Sequence, residues 1–175
     1  MRKTDIHFLA IDVDENLVKT ANEKLIEDEA CSITRNCVKF QTLDMMDKCK
    51  VDELFTKHLK SLNKDKFDIA FCFSVTMWIQ LNHGDKGLEK FFQTCKKWCN
   101  YLMLEPQPWK CYRTASRRMR RSQQPEFEHL ESIACKCENL LPYIIEQCEK
   151  VGFQNIHTFG ETGWKRQIIL FKSVM

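Results

Sequence analysis

The chain has 175 residues, 43% of them hydrophobic and 29% charged, with a formal net charge of +3. That length suits one domain with a buried core, and no apolar run approaches the roughly 20 residues needed to span a bilayer. So small a net charge does not by itself indicate nucleic acid; what matters is where the cations lie.

The amino terminus, MRKTDIHFLAIDVDENL, starts basic, but acids interrupt it before a signal-type apolar core can form. Without such a signal, ten cysteines read as reduced thiols, with the cytoplasm or the nucleus as the expected compartment. The nearest cysteine pairings are Cys95-x3-Cys99 and Cys135-x-Cys137. Structural zinc sites usually show tighter pairs, so no metal is expected and most thiols should act as small apolar fillers.

In chain order, His7 to Ile11 reads as a buried strand ending at Asp12-Val13-Asp14, with Asp14 as cap of a helix over Glu15 to Glu27. A second strand runs from Val38 to Leu43 and closes at Asp44, and the spacing of Val51, Leu54, Phe55, Leu59 and Leu62 predicts a helix. Phe67 to Phe73 is apolar except for Asp68, as in a strand covered on both faces. Polar and aromatic residues from Ser74 to Asp85 follow it, then a helical stripe from Leu88 to Cys99. Tyr101 to Leu104 is a short strand stopped by Glu105 and Pro106, and Arg113 to Arg121 can form a helix. The tail predicts a helix from Leu140 to Val151, with Pro142 near its start and Gly152 at its end. Strands over Ile156 to Phe159 and Gln167 to Phe171 then form a closing hairpin. The alternation of strand and helix predicts one α/β domain with a mainly parallel sheet and a carboxy-terminal antiparallel hairpin.

The carboxyl ends of strands in such sheets are where ligands bind. Asp12 there is either a ribose-binding carboxylate or a helix-cap acid; Asp44 is either an adenine contact or a turn acid. Trp78, Asn82 and His83 either shape a polar pocket or belong to core and turn. In Leu104-Glu105-Pro106-Gln107-Pro108-Trp109, two prolines stiffen the backbone and hold Glu105, Gln107 and Trp109 in set directions. Beyond it lie Lys110, Arg113, Arg117, Arg118, Arg120 and Arg121 with no acid among them. That cluster is either a solvated helix face or a phosphate-binding one, and Trp109 and Tyr112 at its entrance favour RNA, whose terminal bases can stack on aromatic rings.

The segments MWIQLNHGD (77–85) and LEPQPWKCYR (104–113) resemble the bicoid-interacting-protein family of RNA methyltransferases, in its branch acting on RNA 5′-monophosphates. A weaker resemblance extends from Phe8 to Phe171. It implies a Rossmann-like class I methyltransferase fold, with S-adenosylmethionine as cofactor and a small RNA, a transfer RNA or microRNA precursor, as substrate. By position, Asp12, Val13, Asp44, Met45 and Phe73 would border the cofactor. Glu105, Gln107 and His83 would be the catalytic group, and Asn82, Trp109, Lys110, Tyr112, Arg113 and Arg117 would hold the substrate. The family's sheet order, 3-2-1-4-5-7-6, starts with a strand and glycine loop, whereas the first glycine here is Gly84. The sequence therefore resembles the family from its second strand onward, and poor cofactor binding by these residues alone is expected. A non-catalytic form that binds RNA or protein is the alternative. No membrane or DNA contact is expected, and the protein is expected to be a monomer.

Overall fold

A computed structural model describes residues 6–27 and 37–174. The chain divides into two compact units at Leu54–Phe55, inside one helix.

The first unit holds β1 (Phe8–Asp12), α1 (Glu15–Glu27) and β2 (Val38–Thr42). The strands pair in parallel from Phe8↔Val38 to Asp12↔Thr42, with α1 as the crossover. The predicted cap forms: Asp14 Oδ1 accepts from the backbone N–H of Asn16 at 2.8 Å, satisfying a donor that the first helical turn leaves free. α2 (Lys48–Ser61) carries the chain into the second unit.

The second unit contains β3 (Phe67–Phe73), α3 (Thr76–Trp98), β4 (Cys99–Glu105), α4 (Trp109–Arg121), a 3₁₀ turn (Leu130–Ser132), α5 (Leu140–Lys150), β5 (Phe153–Glu161) and β6 (Gln167–Ser173). Its sheet order is β3-β4-β6-β5. β3 and β4 are parallel, while β6 runs antiparallel to both β4 and β5.

The core of this unit is apolar where helical spacing demands it. Leu81, Leu88, Phe91 and Phe92 on α3 are buried, as are Leu102 and Leu104 on β4, Ile169 and Phe171 on β6, and Ile144 on α5. Each such side chain contributes about 1.5–3 kcal/mol by leaving water. Phe55 meets Phe67 and Trp98 edge-on, at 5.0 and 5.7 Å between ring centroids.

Two local expectations are corrected. His83, for which a turn was one of the two readings, is helical, because α3 begins at Thr76 and runs through Gly84. Met77, Gln80, Leu81, Gly84 and Leu88 are all buried at helical spacing, and that packing overrides the turn signals of Asn82-His83-Gly84. The cost appears as a kink: Gly84 has φ 67° and ψ −170°, a conformation almost confined to glycine. The basic helix also starts earlier than expected, at Trp109, since Pro108 supplies the extended residue before its first turn. At the tail, Gly152 ends α5 with φ 94°, as glycine does at helix termini. The hairpin turn is closed by Thr162 N–H on the carbonyl of Arg166 at 2.8 Å.

Candidate active site

In the first unit, Asp12 ends β1 and Asp44 follows β2, so two carboxylates stand at the carboxyl edge of one parallel pair. Asp12 Oδ1 accepts from Asp14 N–H at 2.9 Å and Asp44 Oδ1 from Met46 N–H at 2.8 Å. Both acids are exposed, and among the described residues each leaves its Oδ2 without a partner. Both are turn acids, and the oxygen spent on the turn fixes each carboxylate. Val13 between them is 69% exposed and Met45 is half-buried.

In the second unit, the ends of β3 and β4 converge on Ser74. Its N–H donates to the carbonyl of Glu105 at 3.1 Å, its Oγ to Glu105 Oε2 at 2.8 Å, and its carbonyl accepts from Gln107 Nε2 at 2.9 Å. Arg166 Nη1 donates to Ser74 Oγ at 2.6 Å and lies 3.4 Å from Glu105 Oε2. Ser74 itself has φ 58°, a left-handed conformation costing roughly 1–3 kcal/mol unless the surroundings over-determine it. Four bonds do so here. The Glu105 and Arg166 side chains are only 10% and 18% exposed, so the pair is largely desolvated and each charge depends on the other.

Sequence reasoning missed Ser74 and Arg166. Ser74 stood in the polar segment but without a role. Arg166 lies 92 residues from its partner, and no local pattern tells a turn arginine that points inward from one that points to water.

The other expected residues separate. Trp109, Arg113 and Arg117 line one cavity of about 240 Å³ with Arg120, Glu131 and Lys136. α4 presents this face because Tyr112, Ala115 and Ser116 face inward at i, i+3, i+4 and are buried. Tyr112 is not free to meet a substrate. It is 0% exposed, stacks at 5.1 Å from Trp109, and donates its hydroxyl to Gln80 Oε1 at 2.5 Å. Gln80 Nε2 in turn donates to Asp85 Oδ1 at 2.7 Å, and Asp85 Oδ2 accepts from Ala134 N–H at 2.8 Å. This chain ties α4, α3 and the segment bearing Lys136 together, fixing both walls of the cavity. Burial, and next the Asp85 charge, push the Tyr112 hydroxyl well above its usual value, so it stays a donor.

Asn82 and His83 are exposed on α3 and line neither this cavity nor the Ser74 cluster; Asn82 Nδ2 donates to the carbonyl of Trp78 at 2.9 Å. Trp78 packs against Phe127 at 6.1 Å. Lys110 is exposed outside the cavity, and Phe73, at the end of β3, is 46% exposed. Among the described residues no group of three metal-ligating side chains is found, and no helix is long and apolar enough to cross a membrane.

A family model described as Bicoid-interacting protein 3 (Bin3) matches residues 67–173, which contain both strand ends, the proline-stiffened turn and the basic helix. The chain belongs to the Bin3 family. Among its relatives, the pre-miRNA 5′-monophosphate methyltransferase of Xenopus laevis is 39% identical, over 95% of this chain and 63% of that protein. The RNA 5′-monophosphate methyltransferase of Homo sapiens is 38% identical, over 97% of this chain and 56% of its own length. This Bin3 chain thus spans a little over half the length of these curated relatives. Among solved structures, the methyltransferase domain of bacterial CtHen1 matches 95% of the chain and 77% of that domain, with TM-score 0.57 at 13% identity. The Bin3 chain therefore has a class I methyltransferase fold.

Proposed function

We propose that this Bin3-family chain belongs to an S-adenosylmethionine-dependent methyltransferase that acts on the 5′-monophosphate of a small RNA, a transfer RNA or microRNA precursor. One observation carries the reading: the cavity beside the β4–α4 junction, walled by Trp109, Arg113 and Arg117. Neither arginine has an ion-pair partner among the described residues, so both guanidinium forks are available. Such forks match phosphate oxygens. A space of about 240 Å³ lies below the roughly 300–1,000 Å³ of sites that enclose whole small molecules. It suits a phosphate with part of its ribose, and leaves the base to stack near Trp109.

The residues present fit the cofactor. The second carboxylate oxygens of Asp12 and Asp44 suit ribose hydroxyls and an adenine amino group. S-adenosylmethionine, when bound, supplies an electrophilic methyl carbon. A phosphate monoester oxygen is already anionic near neutral pH, so no strong general base is required. Arg113 and Arg117 orient that oxygen, and orientation alone can lower a barrier by several kcal/mol. Glu105 and Gln107 serve by locking the strand ends, Glu105 Oε2 on Ser74 and Arg166 and Gln107 Nε2 on the Ser74 carbonyl. His83, exposed on α3, needs no role as a base. Free thiols at the described cysteines support work in a reducing compartment, the cytoplasm, and we propose a monomer.

The test uses RNA with a 5′-monophosphate, labelled cofactor and the same RNA with a 5′-hydroxyl. Label confined to the phosphorylated RNA is the expected result. RNA retained equally with either end and never labelled would make the chain a binder instead.

A further inference from the structure

α4 bears a second concave surface. A shallow groove of about 440 Å³ is lined by Thr114, Arg117, Arg118, Arg121 and Ser122. At 3.6 residues per turn, Thr114, Arg118 and Arg121 stand about 100° around the helix from Arg113, Arg117 and Arg120. The groove and the first cavity are therefore neighbours around α4, and Arg117 lines both.

Their charges differ in an informative way. The first cavity contains an acid, Glu131, which pairs with Lys136 at 3.2 Å, and Arg120 pairs with Glu126 at 3.3 Å. No acid lines the groove. Arg117, Arg118 and Arg121 have no ion-pair partner among the described residues. Like charges three and four residues apart on a helix repel one another, whereas a solvated helix face normally interleaves both signs. Three arginines lining one groove with no counter-charge suit an anion brought by a partner.

We propose that this groove binds the first internal phosphodiester of the RNA, so that the strand crosses α4 with Arg117 shared between the terminal and the next phosphate. The inference rests on the reading that the first cavity holds the 5′-phosphate. It adds Arg118 and Arg121 as contacts to the backbone, blind to the nature of the 5′ end.

That blindness sets the test. The 175-residue chain and its R118A/R121A variant are titrated by fluorescence anisotropy with a single-stranded RNA decamer bearing a 5′-phosphate or a 5′-hydroxyl. The variant should bind both decamers about tenfold more weakly, with a salt dependence reduced by about one to two phosphate contacts. Its preference for the 5′-phosphate should be unchanged. A nucleoside 5′-monophosphate, which has no internal phosphodiester, should compete equally well against either protein. Both arginines are exposed, and circular dichroism verifies that the variant is folded. Wild-type affinity for the decamer in the variant, with the 5′-phosphate preference intact, overturns the groove and spares the first cavity. Absence of that preference in the wild type overturns the first cavity, and this inference with it. Displacement of the decamer by polyglutamate as effectively as by RNA would assign the groove to an acidic protein and also overturn it.

Discussion

Arg166 enters the site from the β5–β6 turn and neutralises Glu105, two residues for which the chain offers no local reason to meet. Removing one member of a desolvated pair leaves the other buried and uncompensated, which costs more than the pair contributes when intact. Arg166→Ala should therefore lower the unfolding free energy by about 3 kcal/mol, read from urea denaturation, while Arg166→Lys should recover part of it. A loss within about 0.5 kcal/mol, the usual range for surface substitutions, would show that the pair is solvated and that Ser74 is held by backbone bonds alone. The same residue-scale logic applies to Glu105 and Gln107, whose rigid setting suggests a recognition site and which the family resemblance places in the catalytic group. Prolines on either side of Gln107 announce rigidity, but rigidity suits a structural clamp as well as a substrate contact, and only the bonds to Ser74 decide between them.

α3 shows how an element can defeat its own sequence signals. Asn82-His83-Gly84 reads as a turn, yet the buried stripe through Gln80, Leu81 and Leu88 keeps the chain helical on both sides of a kink. The kink lets Asp85 accept from Ala134 and lets Gln80 reach Tyr112, so it places both walls of the cavity. A Cβ on Gly84 would stand 3.2 Å from His129 Nδ1, on a backbone conformation that side chains avoid. Gly84→Ala should cost about 1–3 kcal/mol in thermal or urea unfolding and, under the proposed function, weaken RNA binding through the misplaced Lys136 segment. Unchanged stability would mean that the kink relaxes into a straight helix without loss. α4, in contrast, was legible: its arginines are all exposed and its inward face follows simple helical spacing.

Across the molecule, three buried thiols and a buried tyrosine hydroxyl lean in one direction. Burial pushes the Cys99 thiol up to about 12 from an ordinary 9.0. Cys95, through a hydrogen bond with the Cys72 thiol, and Cys148, desolvated by burial, are also raised, as is Tyr112. A folded-state pKa above the unfolded one means that the unfolded chain loses its proton first as pH rises. The stability associated with these groups is complete below about pH 9 and falls as pH climbs towards 12. Denaturant midpoints should hold between pH 7 and 8.5 and decline at pH 10 and 11; a flat profile to pH 11 would show that these groups are wetter than their packing implies.

The order of strands and helices, the capped start of α1, the glycine end of α5 and the cationic face of α4 were determined by the sequence alone, because each follows from periodicity or from one residue's local chemistry. The family motifs around β4 were equally plain. Only the tertiary structure decided that Glu105 and Gln107 clamp Ser74, that Tyr112 is core, that Asn82 and His83 face water, and that Arg166 completes the cluster. These outcomes depend on contacts between residues tens of positions apart, whose energy comes from burial and pairing, and the spacing of letters along a chain carries no record of which charge will be desolvated beside which.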